Sequence, residues 1–290
     1  MVSLRGDMRV VAISDLHIDI AENRDWLAHL CDQAHDDEIL ILAGDLASKL
    51  SRIESGLALL ARSYSQVFFV PGNHDLWVEA REPTDSLQRF REIQSICSTH
   101  GVAMRSRDIL GEKGHRVVSI SPLLSWYCEP DEGDLSLFLS KPGEDESLAM
   151  WADRVRIRWP DSLLSPASYF LGLNAINEAE DRDIPIISFS HFLPRQELIF
   201  SSSRDRVPFG GRGGDRAPRF NFSRVAGTVG IERQLRMLGS SVHIHGHQHR
   251  NRDRMIDGVR YVSHCLGYPQ ERAAAGISAK DVKPVEVFHY

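Results

Sequence analysis

RVVAISDLH, residues 9–17, is an apolar run rich in Val and Ile that ends on Asp15 and, two residues later, His17. A run of that length and composition, closed by polar residues, predicts a buried strand whose far end meets solvent. Four more runs end in the same manner. EILILA (38–43) leads into Gly44-Asp45, QVFFV (66–70) into Pro71-Gly72-Asn73-His74-Asp75, IPIISFS (184–190) into His191, and SVHIH (241–245) into Gly246-His247-Gln248-His249. RVVSIS (116–121) is a sixth strand without such an ending. Between the early strands lie helix-length segments at 23–34, 51–64 and 85–100. The last opens on Asp85 with Gln88 three residues on, a capping-box-like start. Strand followed by helix, repeated, predicts an α/β layered fold, and in open α/β sheets ligands bind beyond the carboxyl ends of the strands. If these strands are neighbours, their polar endings converge.

Further along, RDRMI and VRYVS flank Asp257-Gly258, a two-residue hairpin signal, and PVEVFHY (284–290) reads as a last strand, so the later half is expected to be partly antiparallel. Two segments interrupt the rhythm. Residues 129–147 are acidic and loop-like and are expected to form a surface insertion; residues 201–219 are rich in Gly, Arg and Ser. No internal repeat or linker-like tract divides the 290 residues, so a single domain spanning 1–290 is expected.

Composition narrows the function classes. At 42% hydrophobic and 26% charged residues the chain is that of a folded protein, which removes disordered and fibrous classes. A net charge of −6 gives no overall electrostatic reason to bind nucleic acid or anionic membrane, and neither partner is expected. Cys31, Cys97, Cys128 and Cys265 form no CxxC pair and are expected to be reduced thiols. The first residues lack a charged segment followed by an apolar run of about 7 to 15 residues, and no stretch approaches about 18 apolar residues. Met8 is a candidate start, and a cytoplasmic protein is expected.

The convergent set is Asp15, His17, Asp45, Asn73, His191, His247 and His249. Imidazole nitrogen with carboxylate and amide oxygen suits divalent first-row metals such as Mn, Fe, Zn, Co or Ni, and the absence of thiolates argues against a purely structural zinc site. Seven groups are too many for one ion. They suit two ions that share a carboxylate at roughly 3.5–4 Å from each other, as in hydrolytic two-metal sites.

The ordered blocks DxH, GD, GNHD, a lone His after a strand, and GHQH, running from residue 15 to 249, resemble the calcineurin-like metallophosphoesterase superfamily. Within it, SHFLPRQEL (190–198), PLLSWY (122–127) and VPGNHDLW (70–77) are similar to a group of plant and bacterial members without a settled substrate. The resemblance implies a four-layer α/β-β/α sandwich of two mixed sheets and two divalent ions (Mn, Fe or Zn). It places Asp15, His17 and His249 on the first ion, Asn73, His191 and His247 on the second, and Asp45 between them. It also implies a metal-bridging hydroxide as nucleophile, with His74 donating to a phosphate oxygen or to the leaving group. Many family members carry an acid three residues after the bridging Asp; here that position is Ser48, so His74 is expected to be oriented by Ser48 or Asp75. Glycines 44, 72 and 246 are expected to let the backbone pass close to the ions.

Substrate contacts are expected from Arg195, which follows His191 by four residues, and from Trp126 and Tyr127, whose rings can stack. Trp77 is read as packing beneath the metal loop, His243 and His245 as strand histidines, and loop 201–219 as a possible lid or a solvated loop. The expected activity is hydrolysis of a small-molecule phosphomonoester. A phosphodiesterase acting on a nucleotide is the close alternative, and a non-enzymatic scaffold that has kept the fold is the rival from another class.

Overall fold

The computed structural model describes residues 8–33, 35–111, 114–176, 184–200 and 219–290. Strands β1 (Arg9–Ile13), β2 (His35–Leu42) and β3 (Tyr64–Phe69) alternate with helices α1 (Ala21–Leu30) and α2 (Leu50–Ser63), and α3 (Ser86–His100) follows β3. Next come β4 (Arg107–Leu110), β5 (Arg116–Pro122) and the short helices α4 (Asp153–Arg156) and α5 (Pro166–Gly172). The remainder runs β6 (Ile186–Phe189), α6 (Val229–Met237), β7 (Val242–His245), β8 (Arg252–Ile256), β9 (Val259–Ser263), α7 (Pro269–Ala275) and β10 (Val285–His289).

Two mixed sheets result. One has the order β10-β1-β2-β3, parallel except for β10; the other has the order β4-β5-β6-β7-β9-β8, parallel across β5-β6-β7-β9 with antiparallel edges. Helices flank the sheets, giving the expected four-layer sandwich. Its strands are buried without alternation: Val10, Ala12 and Ile39 through Leu42 are all fully buried, as befits parallel strands covered on both faces. Residues of both sheets, such as Ile41 and Ile187, belong to one continuous apolar core.

Local chemistry explains the element ends. The Asp85 carboxylate accepts from the Gln88 amide at 2.7 Å, starting α3, which stops at Gly101 in the left-handed region. Asp257 and Gly258, with φ of 46° and 81°, form the tight turn between β8 and β9. Segment 129–147, mostly exposed or half-buried, is fastened to the body by Leu137, which is fully buried, and by Glu144, which binds Arg224 at 2.6 Å and Asn221 at 2.9 Å. Of loop 201–219, residues 201–218 lie outside the described residues.

Candidate metal centre

Parallel pairing aligns the strand endings. The backbone continues the ladder past β1 and β2, with Asp15 N donating to Gly44 O at 2.9 Å and His17 N to Asp45 O at 3.0 Å. In the second sheet, Gly246 N donates to His191 O at 2.9 Å. The sheets meet where His191 Nδ1 donates to Ala43 O at 2.9 Å and His247 N to Asp15 Oδ1 at 3.1 Å. All seven candidate ligands therefore lie at one edge of the sandwich. A Cβ on Gly44 would strike the His191 ring, and one on Gly72 would strike the Asp45 carboxylate, so these two glycines admit the close approach.

Backbone strain concentrates at the same place. Among the described residues, seven other than glycine have positive φ, and five of them are Asp15, His17, Asp45, His247 and His249. Each departs from the preferred regions at a cost of about 1–3 kcal/mol, which persists only where the surrounding structure enforces it.

The first group is Asp15, His17, Asp45 and His249, each offering one ligand atom, all within 4.8 Å of one another. His17 Nε2 and His249 Nε2 are 2.9 Å apart, and His249 Nε2 lies 3.4 Å from Asp15 Oδ1. His249 Nδ1 donates to Glu271 Oε2 at 2.7 Å, which turns its other nitrogen inward. In the second group, His191 Nε2 lies 3.5 Å from Asp45 Oδ2 and 3.2 Å from Asn73 Oδ1. Because Nδ1 of His191 gives its proton to Ala43 and the Asn73 amide nitrogen gives one to Asp153, these converging atoms are all lone-pair donors. His247 donates Nε2 to Val225 O at 2.9 Å, leaving Nδ1 available; its ring centre is 5.0 Å from that of His191. Burial opposes charge on His249, yet the Asp15 and Glu271 carboxylates push it up to about 10; the other converging atoms are acceptors, and with the His249 nitrogen freed of its proton the set fits a divalent metal.

The electrostatics agree. Burial pushes His17, His191 and His247 below the usual histidine range, toward the neutral imidazole that binds metal. Burial works against charge on Asp15, yet neighbouring His249 holds its carboxyl well below the carboxylate range. Burial, with Asp15 and Asp75 nearby, pushes Asp45 up.

His74 faces this cluster. Its side chain is 18% exposed, and Nε2 is 3.9 Å from Asp45 Oδ2. Burial lowers it to about 3, so it is a neutral imidazole. Neither Ser48 nor Asp75 orients it. Instead it stacks on Trp77 with ring centres 3.7 Å apart, and Tyr268 Oη lies 3.4 Å from Nε2. Asp75 is fully buried; its carboxylate accepts from the amides of Asp45, Leu46, Ala47 and Gly72 at 2.8–3.0 Å and thus ties the two ligand loops together, away from any substrate.

The expected substrate contacts are also placed differently. Arg195 is held by Glu197 at 2.6 Å, Asp257 at 2.9 Å and Glu232 at 3.2 Å, which makes it a structural ion pair at the β8–β9 turn. Trp126 is 3% exposed, packed among Trp159, Phe170 and Phe192, with no open face for stacking. Trp126 and Tyr127 do line a cavity of about 320 Å³, together with Trp159, Leu163 and Asp153. His243 is a strand histidine between Ser188 and Ser190, and His245 is likewise buried.

Three residues that the sequence did not single out support the centre. Asp153 accepts from Asn73 at 2.9 Å and from Trp77 at 2.6 Å; Glu271 holds His249; Tyr268 stacks on His17 with ring centres 4.5 Å apart. Only Glu271 had a local signal, standing two residues after Pro269 in a helix start.

Residues 8–251 match the family model of the calcineurin-like phosphoesterases. The chain belongs to that family. This phosphoesterase is 28% identical over 278 residues to the acyl-carrier-protein phosphodiesterase PptH of Mycobacterium tuberculosis, an alignment covering 90% of this chain and 78% of that protein. Its fold is similar to the crystal structure of the phosphopantetheinyl hydrolase PptH from the same organism, with a TM-score of 0.68, 21% identity and 96% of each chain covered. The family and this relative make the chain a metal-dependent hydrolase and set aside the scaffold alternative. Among the described residues, no helix is long and apolar enough to cross a membrane.

Proposed function

We propose that this phosphoesterase hydrolyses a phosphodiester with two divalent ions, and that the diester is the one joining a phosphopantetheine arm to a carrier protein. The observation that carries the reaction is the double cluster of lone-pair donors sharing Asp45. Asp15, His17 and His249 would hold one ion, Asn73, His191 and His247 the other. Ions bound there supply Lewis acidity toward phosphoryl oxygens and a water acidic enough to ionise near neutral pH.

The protein's own residues do the rest. His74, neutral and facing the cluster, donates Nε2–H to a phosphoryl oxygen and thereby orients the ester. Asp75 fixes the loops that carry Asp45 and Asn73, so the ligands are positioned before substrate arrives. The carrier-protein substrate rests on the similarity to PptH. The cavity beside Asp153, walled by Trp126, Tyr127 and Trp159, has the size and mixed polarity to take part of an extended amide-containing arm.

The test loads metal-stripped protein with Mn, counts bound metal, and compares p-nitrophenyl phosphate, bis-p-nitrophenyl phosphate and a phosphopantetheinylated carrier protein. Two ions per chain, preference for the diester and release of the free arm, seen by mass spectrometry, are expected. Asp45→Asn and His247→Ala should fall to the level of metal-free protein. Preference for the monoester would return the reading to a phosphomonoesterase.

A further inference from the structure

The family match ends at residue 251, yet the segment Gly267-Tyr268-Pro269-Gln270-Glu271 reaches back onto the centre. Its anchoring is substantial. Leu266 N and Gly267 N donate to Ser14 O and Asp15 O at 3.1 and 3.0 Å, running alongside the first ligand. Arg272, almost fully buried, binds the carbonyls of Leu266 and Gly267 at 3.0 and 2.8 Å and reaches Asn23 at 2.9 Å and Glu22 at 2.6 Å. Glu271 Oε2 accepts from Tyr268 N at 2.8 Å and from His249 at 2.7 Å, so one oxygen ties the tyrosine to a ligand.

This scaffold sets the Tyr268 ring against His17 and His249, with centres 4.5 and 4.8 Å away, and turns its hydroxyl toward His74 Nε2. The 3.4 Å between that hydroxyl and Nε2 is long for a bond between them. It is a suitable separation for two donors that share one acceptor, since each can reach a common oxygen at ordinary hydrogen-bond length. Both groups keep access to solvent while Asp15, His17 and Asp45 are buried, so the pair looks out on the side from which an ester must enter.

We infer that Tyr268 Oη and His74 Nε2 form a two-donor clamp for one non-bridging phosphoryl oxygen, which makes Tyr268 a substrate-contacting residue. The inference rests on the phosphoesterase reading above. An imidazole N–H and a phenol O–H are both hydrogen-bond donors, and donors aimed where phosphoryl charge accumulates act mainly on the transition state.

Tyr268→Phe is the informative variant, because it keeps the ring against both histidines and removes only the hydroxyl. On Mn-loaded protein, expected results are an unchanged metal count, inorganic phosphate bound about tenfold more weakly by calorimetry, and kcat for bis-p-nitrophenyl phosphate lowered about tenfold or more. Combining it with His74→Ala should cost less than the product of the single losses, since the two serve one oxygen. Wild-type phosphate affinity and kcat in Tyr268→Phe would overturn the clamp. So would loss of bound Mn, which would make the hydroxyl a support for the metal ligands. If wild-type protein binds Mn but neither turns over an ester nor binds phosphate, the phosphoesterase reading itself has failed, a result separable from the other two.

Discussion

Asn73 gives its amide nitrogen to Asp153 at 2.9 Å and thereby turns Oδ1 toward His191 Nε2, 3.2 Å away. An amide can face a site with either end, and the buried carboxylate settles which. Removing that carboxylate as Asp153→Ala should leave the first ion in place and weaken the second by about 10- to 100-fold, the range for outer-shell partners of metal ligands. A metal titration with two resolvable sites checks this; equal affinities in variant and wild type would sever the link.

Burial pushes Asp153 up to about 6 from an ordinary value of 3.8, with hydrogen bonds from Asn73 and Trp77 opposing. A carboxyl raised in the fold favours its protonated form there, so its stabilising share is full below about 3.8 and disappears as pH rises through 6. In metal-free protein, wild-type stability relative to Asp153→Asn should fall by up to about 3 kcal/mol across that window. Urea midpoints of both proteins at several pH values provide the comparison, and a constant difference would contradict it.

His74→Ala deletes a donor that is not among the candidate ligands. Both ions should remain bound while turnover slows by about 10²-fold or more. Metal analysis alongside steady-state kinetics separates the two effects; a matching loss of metal would move His74 into the coordination sphere.

Arg195 is occupied by three carboxylates, so Arg195→Ala should lower stability by about 1 kcal/mol and leave kcat/KM within about twofold of wild type. A raised KM with an unaltered urea midpoint would restore it as a phosphate contact.

Much of the centre was legible because each ligand follows an apolar run directly: when Ile13, Leu42, Phe69, Phe189 and Ile244 are core residues, the groups just beyond them must gather at the sheet ends. The same logic did not foresee that Trp126 has no open face for stacking. It also follows a strand, but the aromatic cluster of Trp159, Phe170 and Phe192 encloses it, and nothing local announces that enclosure. Strand β4 escaped notice because RDIL is half polar, an edge strand with one face outward. Asp153 acts through Trp77, 76 residues away, Tyr268 faces His74 across 194 residues, and Glu271 reaches His249 across 22. Contacts at such separations carry no periodicity to read. Arg195 illustrates the converse, as its nearness to His191 in sequence suggested a role that its carboxylate neighbours have taken.

The antiparallel pairing of β10 with β1 joins Arg9 to His289 and Val10 to Phe288. The strand that presents Asp15 is thus flanked on one side by residues 278 to 280 positions further along (288 − 10 and 289 − 9), and closing so long a loop is slow. During synthesis from the N-terminus, the first two ligands emerge long before the neighbour that completes their sheet. The sheet behind Asp15 and His17 is therefore complete only once β10 has joined it, and a chain lacking β10 would leave β1, the strand that carries the first ligand, as a bare unpaired edge.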